Sequence, residues 1–495
     1  MRPASAALIG FFLLGLTMSP SAAAPSAPKP VSTSAPSPPA KDPASVALGQ
    51  LALSIQRKTL ANGLRVVLHP DPAAPTIAVA VTYDVGSRVE ETGKSGFAHL
   101  FEHMMFQGSS HVKKGDHFSL ITERGGTLNG TTSSDRTNYF EVLPASELAL
   151  ALWLEADRMR SLAVNAENFE NQRAVVKEEY RMRYENAAYA RAVLRLGELV
   201  FVNYPPYANP TIGKMADLDA AKLEWAQEFY ARHYVPNNAV VSIVGGFEPD
   251  DALALVERYF GGIPKRPLTP FTAPAALPAA ATARETLADS NAKTPGILYG
   301  YLVPPARTPE HYALELAATL LGDGESARLY QALVRKRALC LETRAWTRDF
   351  RGPDQFGIQV VLSEKAKLPE VERALDAELD ALAKAPMSPA ELERVKRRVR
   401  AGFVFGLETT LRRAVELGEF ELYWGDARGL ASELERYLAV TAAEVQAAAA
   451  KYLVKERRVV IAVNPAPKPA APAAPAAATP GSPPPAPSKA QGGTP

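Results

Sequence analysis

Three stretches rich in alanine and proline divide this chain before any folding pattern is considered. Residues 24–46 and 466–495 are mostly Ala, Pro and Ser, with almost no large apolar side chains. Such segments bury too little surface to offset the entropy of ordering them, so both are predicted to be disordered linkers or tails. The third, PKRPLTPFTAPAALPAAATA, begins at residue 264 and falls between two blocks of strand and helix patterns. The chain is therefore predicted to hold one domain over residues 47–263, an interdomain linker over 264–284 and a second domain over 285–465.

The two blocks read alike. The first opens with QRKTLANGLRVVLHP, where Asn62-Gly63 marks a tight turn between two strands. The strand TIAVAVTYDVGS follows, and then a helix pattern. The second opens with the strand GILYGYLVPP and the helix EHYALELAATLLGDG, and each block closes on a short β-branched strand, NAVVSIVGG or RRVVIAVNP. Strands bracketing long helical runs predict an α+β fold of two related domains, each a sheet of mostly antiparallel strands packed by helices. The repeated order points to duplication, without close identity between the blocks.

Of the 495 residues, 47% are hydrophobic, enough for sizeable cores, and the net charge is +2. Nothing in that balance points to nucleic acid or to an anionic membrane. Ahead of the first linker, Arg2 precedes the uncharged run AALIGFFLLGLTM and then small residues. This is the pattern of a secretory signal over residues 1–23, with cleavage after Ala23, and predicts an exported protein, periplasmic or secreted. The apolar run is short for a membrane span and no later segment replaces it, so no stable membrane insertion is expected. The single cysteine, Cys340, cannot form an internal disulfide and reads as a small buried residue.

The chemistry is concentrated in KSGFAHLFEHMMFQGSS. His99 and His103, four residues apart, share one side of a helix about 6 Å apart along its axis, so both imidazoles can reach one metal ion. Glu102 lies on the same arc, while Phe97, Leu100, Phe101 and Met104 form the opposite, packing side. Ser95 is predicted as the N-cap and Gly108 as the stop. A catalytic zinc site takes three protein ligands and leaves a position for water. The run NQRAVVKEEYRMR offers the third: with Val175, Val176 and Met182 read as its inward face, helix geometry favours Glu179 over Glu178. A carboxylate on an apolar face is costly unless it is paired or metal-bound.

The string H-L-F-E-H, followed by M-M-F-Q-G-S and by R-A-V-V-K-E-E-Y, resembles the inverted-zinc-motif metallopeptidases, the pitrilysin, insulysin and mitochondrial-processing-peptidase family. The resemblance extends to GGTLNGTTSSDRTNYFEVLP, YPPYANPTIG, ARHYVPNNAVVSIVGGF and SARLYQALVRKR, and covers nearly all of residues 50–465. It implies a zinc endopeptidase of the half-length, two-domain bacterial branch, with one Zn2+ per chain held by His99, His103 and Glu179. Glu102 would be the general base. The strand after Gly126 would pair with the substrate backbone, making Asn129 and Gly130 substrate contacts.

The chain departs from that pattern in two places. Family members present an Arg and a Tyr from the second domain toward the substrate carbonyl; here Val334 and Leu341 occupy those positions, and neither can donate a side-chain hydrogen bond. A related subunit is therefore expected to supply the pair, in a heterodimer ahead of a homodimer. At Gln172, two turns before Glu179, the family often carries a glutamate. His69, His111, His117, His233 and His311 show no ligand spacing and read as structural or exposed. The alternative to a peptidase is a non-catalytic or partner-dependent scaffold subunit of the same family. The intact His99, Glu102, His103 and Glu179 set argues against it.

Overall fold

A computed structural model describes residues 53–467. The predicted signal peptide, the 24–46 linker and all but the first two residues of the 466–495 tail lie outside the described residues. The first sheet contains β1 (Gln56–Thr59), β2 (Arg65–Pro70), β3 (Thr76–Tyr83), β4 (Thr127–Thr132), β5 (Thr137–Pro144) and β6 (Ala239–Gly245). Its order is β1-β2-β6-β3-β5-β4, with β2 and β6 parallel and the other pairs antiparallel. The Asn62-Gly63 turn joins β1 to β2, with Gly63 at φ 87°. Its Asn62 amide donates to the carbonyls of Phe260 and Ile263, tying the hairpin to the end of the first block.

The second sheet contains β7 (Ala283–Asp289), β8 (Gly296–Val303), β9 (Cys340–Trp346), β10 (Asp354–Leu362) and β11 (Arg458–Pro465), in the order β7-β11-β8-β10-β9. With β1 set aside, both sheets follow one plan: first strand, last, second, fourth, third. In both, the first and last strands are the parallel pair. The last strand to be made inserts at an inner position, which is why β6 is buried along its whole length and β11 along most of it.

The helices of the first block are α1 (Phe97–Met104), α2 (Asp116–Thr122), α3 (Leu148–Ser161), α4 (Ala166–Tyr180), α5 (Ala190–Val200), α6 (Pro205–Ala208), α7 (Met215–Ala220), α8 (Leu223–His233) and α9 (Pro249–Phe260). Those of the second are α10 (Pro309–Gly322), α11 (Leu368–Lys384), α12 (Pro389–Gly406), α13 (Thr410–Trp424), α14 (Glu433–Ala439) and α15 (Ala442–Tyr452). The run from 389 to 424 is thus two helices, parted where Leu407 ends α12 and Thr409 caps α13 through the Arg412 amide.

The two blocks exchange one helix each. On β3 and β6 of the first sheet lies α13, where Ala414, Val415 and Leu417, joined by Leu407 at the end of α12, bury Val67, Ala78, Ala80, Val240 and Val244. Gly418 permits this approach: a Cβ there would lie 2.9 Å from the hydroxyls of Ser242 and Thr82. In return α5 of the first block packs on β8 and β11 of the second sheet, with Leu196 and Val200 over Gly300. Each is the third helix after the fourth strand of the shared plan. The sheets flank the 264–284 stretch, whose last two residues, Ala283 and Arg284, already belong to β7, while their covering helices cross it. Within that stretch, Phe271 lies between the guanidinium groups of Arg88 (4.6 Å) and Arg351 (4.9 Å), one from each block.

Candidate metal centre

Helix α1 buries Phe97, Leu100, Phe101 and Met104, as its periodicity predicts. Phe101 stacks on Phe229 and Tyr230 of α8, and Phe97 tilts against Trp225 and Phe229. The Tyr139 hydroxyl donates to the Phe101 carbonyl from β5. This packing turns the opposite arc, with His99, Glu102 and His103, toward α4 and β4. The ends of the helix differ from expectation. Gly96, at φ 91°, holds the N-cap position, Ser95 is engaged elsewhere, and the helix stops at Met104, four residues before Gly108.

Helix α4 starts at Asn165, whose side chain accepts the Asn168 amide. Its buried stripe is Phe169, Gln172 and Val176, and Glu179 continues the same spacing one turn later. Val175 and Met182, read above as inward, are 42% and 60% exposed. The inward face thus runs through Val176 alone of the three residues assigned to it: Val175 and Met182, seven residues apart, share a side of the helix turned away from the Phe169, Gln172 and Val176 stripe. Glu178 turns away and pairs with Arg181 at 3.0 Å.

Glu179 meets both histidines. Its Oε2 lies 3.1 Å from His103 Nε2 and its Oε1 3.7 Å from His99 Nε2, and the rings stand nearly perpendicular with centroids 4.9 Å apart. Zinc bound tetrahedrally at about 2.0–2.1 Å sets its ligand atoms about 3.3 Å apart, so the donor set fits the ion. Burial pushes the His99 imidazole down to about 3, leaving a neutral ring with a lone pair to offer. Burial alone would raise the Glu179 carboxyl, but the His103 bond and the positive charge nearby, Arg183 included, outweigh it and hold it below the ordinary range. Arg183 grips the Glu179 Oε1 at 2.7 Å from one turn onward.

Glu102 is 6% exposed and receives a 2.6 Å hydrogen bond from Thr132 Oγ1 of β4. Burial raises its carboxyl above the usual range, opposed by the Thr132 bond and by His103. Beneath it lies Gly130, where a Cβ would come 3.1 Å from Glu102 Cγ. Strand β4 is the terminal strand of its sheet, so its outer backbone edge has no strand partner among the described residues. Asn129 stands beside Gly130, its Oδ1 accepting the Gly130 amide at 2.8 Å. Arg136, in the β4–β5 turn, binds Glu419 of α13 at 2.7 Å, so the crossing helix buttresses this edge.

Gln172 is buried and donates to Asn171 Oδ1 at 2.8 Å. Val334 packs half-buried against the second core, and Leu341 stands 59% exposed on β9. Nearby, Arg335 pairs with Glu325. Three histidines without ligand spacing do meet acids in space: His111 lies 2.6 Å from Asp157, and two others each join a pair of acids. His117 lies with Glu141 and Glu155, and His311 with Asp349 and Asp354, the donor atoms of each set within 4.8 Å of one another. Each set draws on separate elements, so no local pattern could have signalled it. In the first, Glu155 already carries a two-point pair with buried Arg158. In the second, Asp354 accepts the Arg348, Asp349 and Gln355 amides. Cys340 is buried, and burial pushes its thiol up to about 12.

Residues 65–197 match the family profile described as insulinase (peptidase family M16), and residues 221–399 match the one described as peptidase M16 inactive domain. A zinc protease of Helicobacter pylori, PqqE, is 29% identical over 82% of this chain and 92% of its own length. An uncharacterized zinc protease of Mycobacterium tuberculosis is 31% identical over the same shares. The probable β subunit of the mitochondrial processing peptidase of Arabidopsis thaliana is 24% identical over 82% of this chain and 78% of its own. Among solved structures, a protease from Helicobacter pylori superposes with a TM-score of 0.79 at 28% identity, covering 83% of this chain and all of that one. A Pseudomonas fluorescens structure titled as a peptidase M16 inactive domain shares the fold at a TM-score of 0.74 and 20% identity.

Proposed function

Since this chain belongs to peptidase family M16, the insulinase family, we propose that it is a zinc-dependent endopeptidase acting on peptides or unfolded segments. The observation that carries the reading is the meeting of His99, His103 and Glu179, from two helices, beside a buried Glu102. When bound there, zinc supplies a Lewis acid that polarises the scissile carbonyl and lowers the pKa of water. Glu102, its carboxyl drawn up by burial, takes the proton of the attacking water and delivers it to the leaving nitrogen. Thr132 holds one Glu102 oxygen, leaving the other to exchange the proton. The open edge of β4 pairs with the substrate backbone at Asn129 and Gly130, a mode that tolerates varied side chains.

The test is a fluorogenic peptide assay alongside zinc analysis. Glu102→Gln is expected to keep its zinc and to lose at least about 100-fold in turnover. A variant that turned over near the wild-type rate would remove Glu102 from the mechanism.

A second reading concerns who completes the site. Val334 and Leu341 bring no hydrogen-bond donor to the substrate carbonyl, which favours a related subunit that supplies an Arg/Tyr pair in a heterodimer. The N-terminal signal pattern favours action outside the cytoplasm, periplasmic or secreted. N-terminal sequencing of the exported form should begin at Ala24.

A further inference from the structure

The metal-bearing helix begins in an unusual way. An α-helix leaves its first amide groups without internal partners, and the residue at the N-cap normally closes them with a side-chain oxygen. Here neither candidate can. Gly96 has no side chain, and a larger residue would not fit: its φ is 91°, and a Cβ would meet Gly213 Cα at 2.9 Å. Ser95 is engaged with another element, donating to Asp217 Oδ2 at 2.5 Å and accepting the Lys214 amide at 2.9 Å.

Glu90 closes the helix instead. Its Oε2 accepts the Gly96 amide and its Oε1 the Ala98 amide, both at 2.9 Å, the second donor being the residue next to His99. Both carboxyl oxygens are used, so the first turn is held at two points rather than one. The turn that carries Glu90 is itself fixed. Its own amide donates to the Ser87 carbonyl, and Arg88, two residues before it, reaches Asp84 Oδ1 at 2.6 Å and the Asp135 carbonyl at 2.8 Å. Asp84 directly follows β3, and Asp135 lies in the β4–β5 turn. Glu90 therefore references the start of α1 to the sheet whose β4 edge lies under Glu102.

We propose that Glu90 is a positioning residue for the metal centre: by clamping the first turn of α1 it sets the rotation of the helix that presents His99, Glu102 and His103. The inference rests on the metal-centre reading above. Substitution by glutamine keeps the volume but replaces one acceptor with an NH2 group that faces an amide donor. Removal of the carboxyl frees both amides and lets the helix turn on its apolar contacts.

The experiment compares wild type, Glu90→Ala, Glu90→Gln and the neighbouring control Glu91→Gln in the full chain. Three readings are taken: zinc affinity by chelator competition, the visible absorption of the cobalt(II)-substituted protein, and melting of the metal-free form. Glu90→Ala is expected to weaken zinc binding about 10-fold or more, the low end for groups that orient ligands, and to shift the cobalt bands. Glu90→Gln should fall between it and wild type, and Glu91→Gln should match wild type. Unchanged affinity and cobalt bands in both Glu90 variants would overturn the proposal. If Glu90→Ala does not fold, Glu90→Gln alone carries the test. Should wild type itself bind no zinc, the peptidase reading fails and this inference with it; should wild type bind and the variants equal it, only this inference fails.

Discussion

Glycine 130 shows how much of the site depends on what is absent. Its missing side chain lets Glu102 Cγ settle over β4, and a Cβ there would also press on Tyr139 at 3.1 Å. Gly130→Val should displace Glu102 without touching the metal donors. The expected outcome is full zinc content with turnover reduced about 100-fold, the scale of an ångström of misplacement; normal turnover would show that Glu102 tolerates the crowding. At this scale the sequence was most legible for His99, Glu102 and His103, because four-residue spacing on one helix is a local property. Glu179 was legible because a carboxylate within a buried stripe needs a partner. Val175 and Met182 were misread because the adjacent apolar pair Val175-Val176 does not itself say which member faces inward, and Met182, seven residues on, shares the side of Val175. Glu90 is not legible as a cap because its oxygen reaches the helix from six residues before the N-cap, beyond any local capping pattern.

Elements carry their own requirements. The Asn62-Gly63 hairpin, the β4 edge and the closing strands β6 and β11 follow from turn chemistry and β-branched composition. The exchange of α5 and α13 does not, because a 3.6-residue period reveals that a face is apolar and not which sheet will cover it. Helix α12 offers a test of local energetics. Glu391 completes a capping box with Ser388 and receives Arg328 at 2.8 and 2.9 Å. The Arg328 bond, opposed by burial and aided by the Ser388 amide, lowers its carboxyl from the ordinary 4.5 to about 2. A carboxyl depressed in the folded state adds stability that is fully present above its unfolded pKa and is lost as pH falls through the folded one. Glu391→Gln should therefore be less stable than wild type at pH 7 in urea denaturation, with the gap closing as pH falls from about 4.5 toward about 2. A gap that is constant across that range would show that the ion pair contributes nothing.

Across the whole molecule, two sheets of one strand plan, each covered on one side by the other block's helix, make the blocks mutually dependent. The repeated order of elements announced this duplication, although the blocks share no close identity. The shared plan also sharpens the departure at Val334 and Leu341: the second block keeps the fold and lacks the donors. Isolation of the protein from its native source should therefore bring with it a related polypeptide that carries an Arg/Tyr pair. A purified single chain that cleaved peptides at a normal rate, as monomer or homodimer, would contradict that.

The central claim is that His99, His103 and Glu179 together hold one zinc ion. Elemental analysis of the purified protein against His99→Ala tests it most directly. The account predicts one zinc per wild-type chain and almost none in the variant, with melting of the two metal-free forms alike; a variant that kept its full zinc content would contradict it.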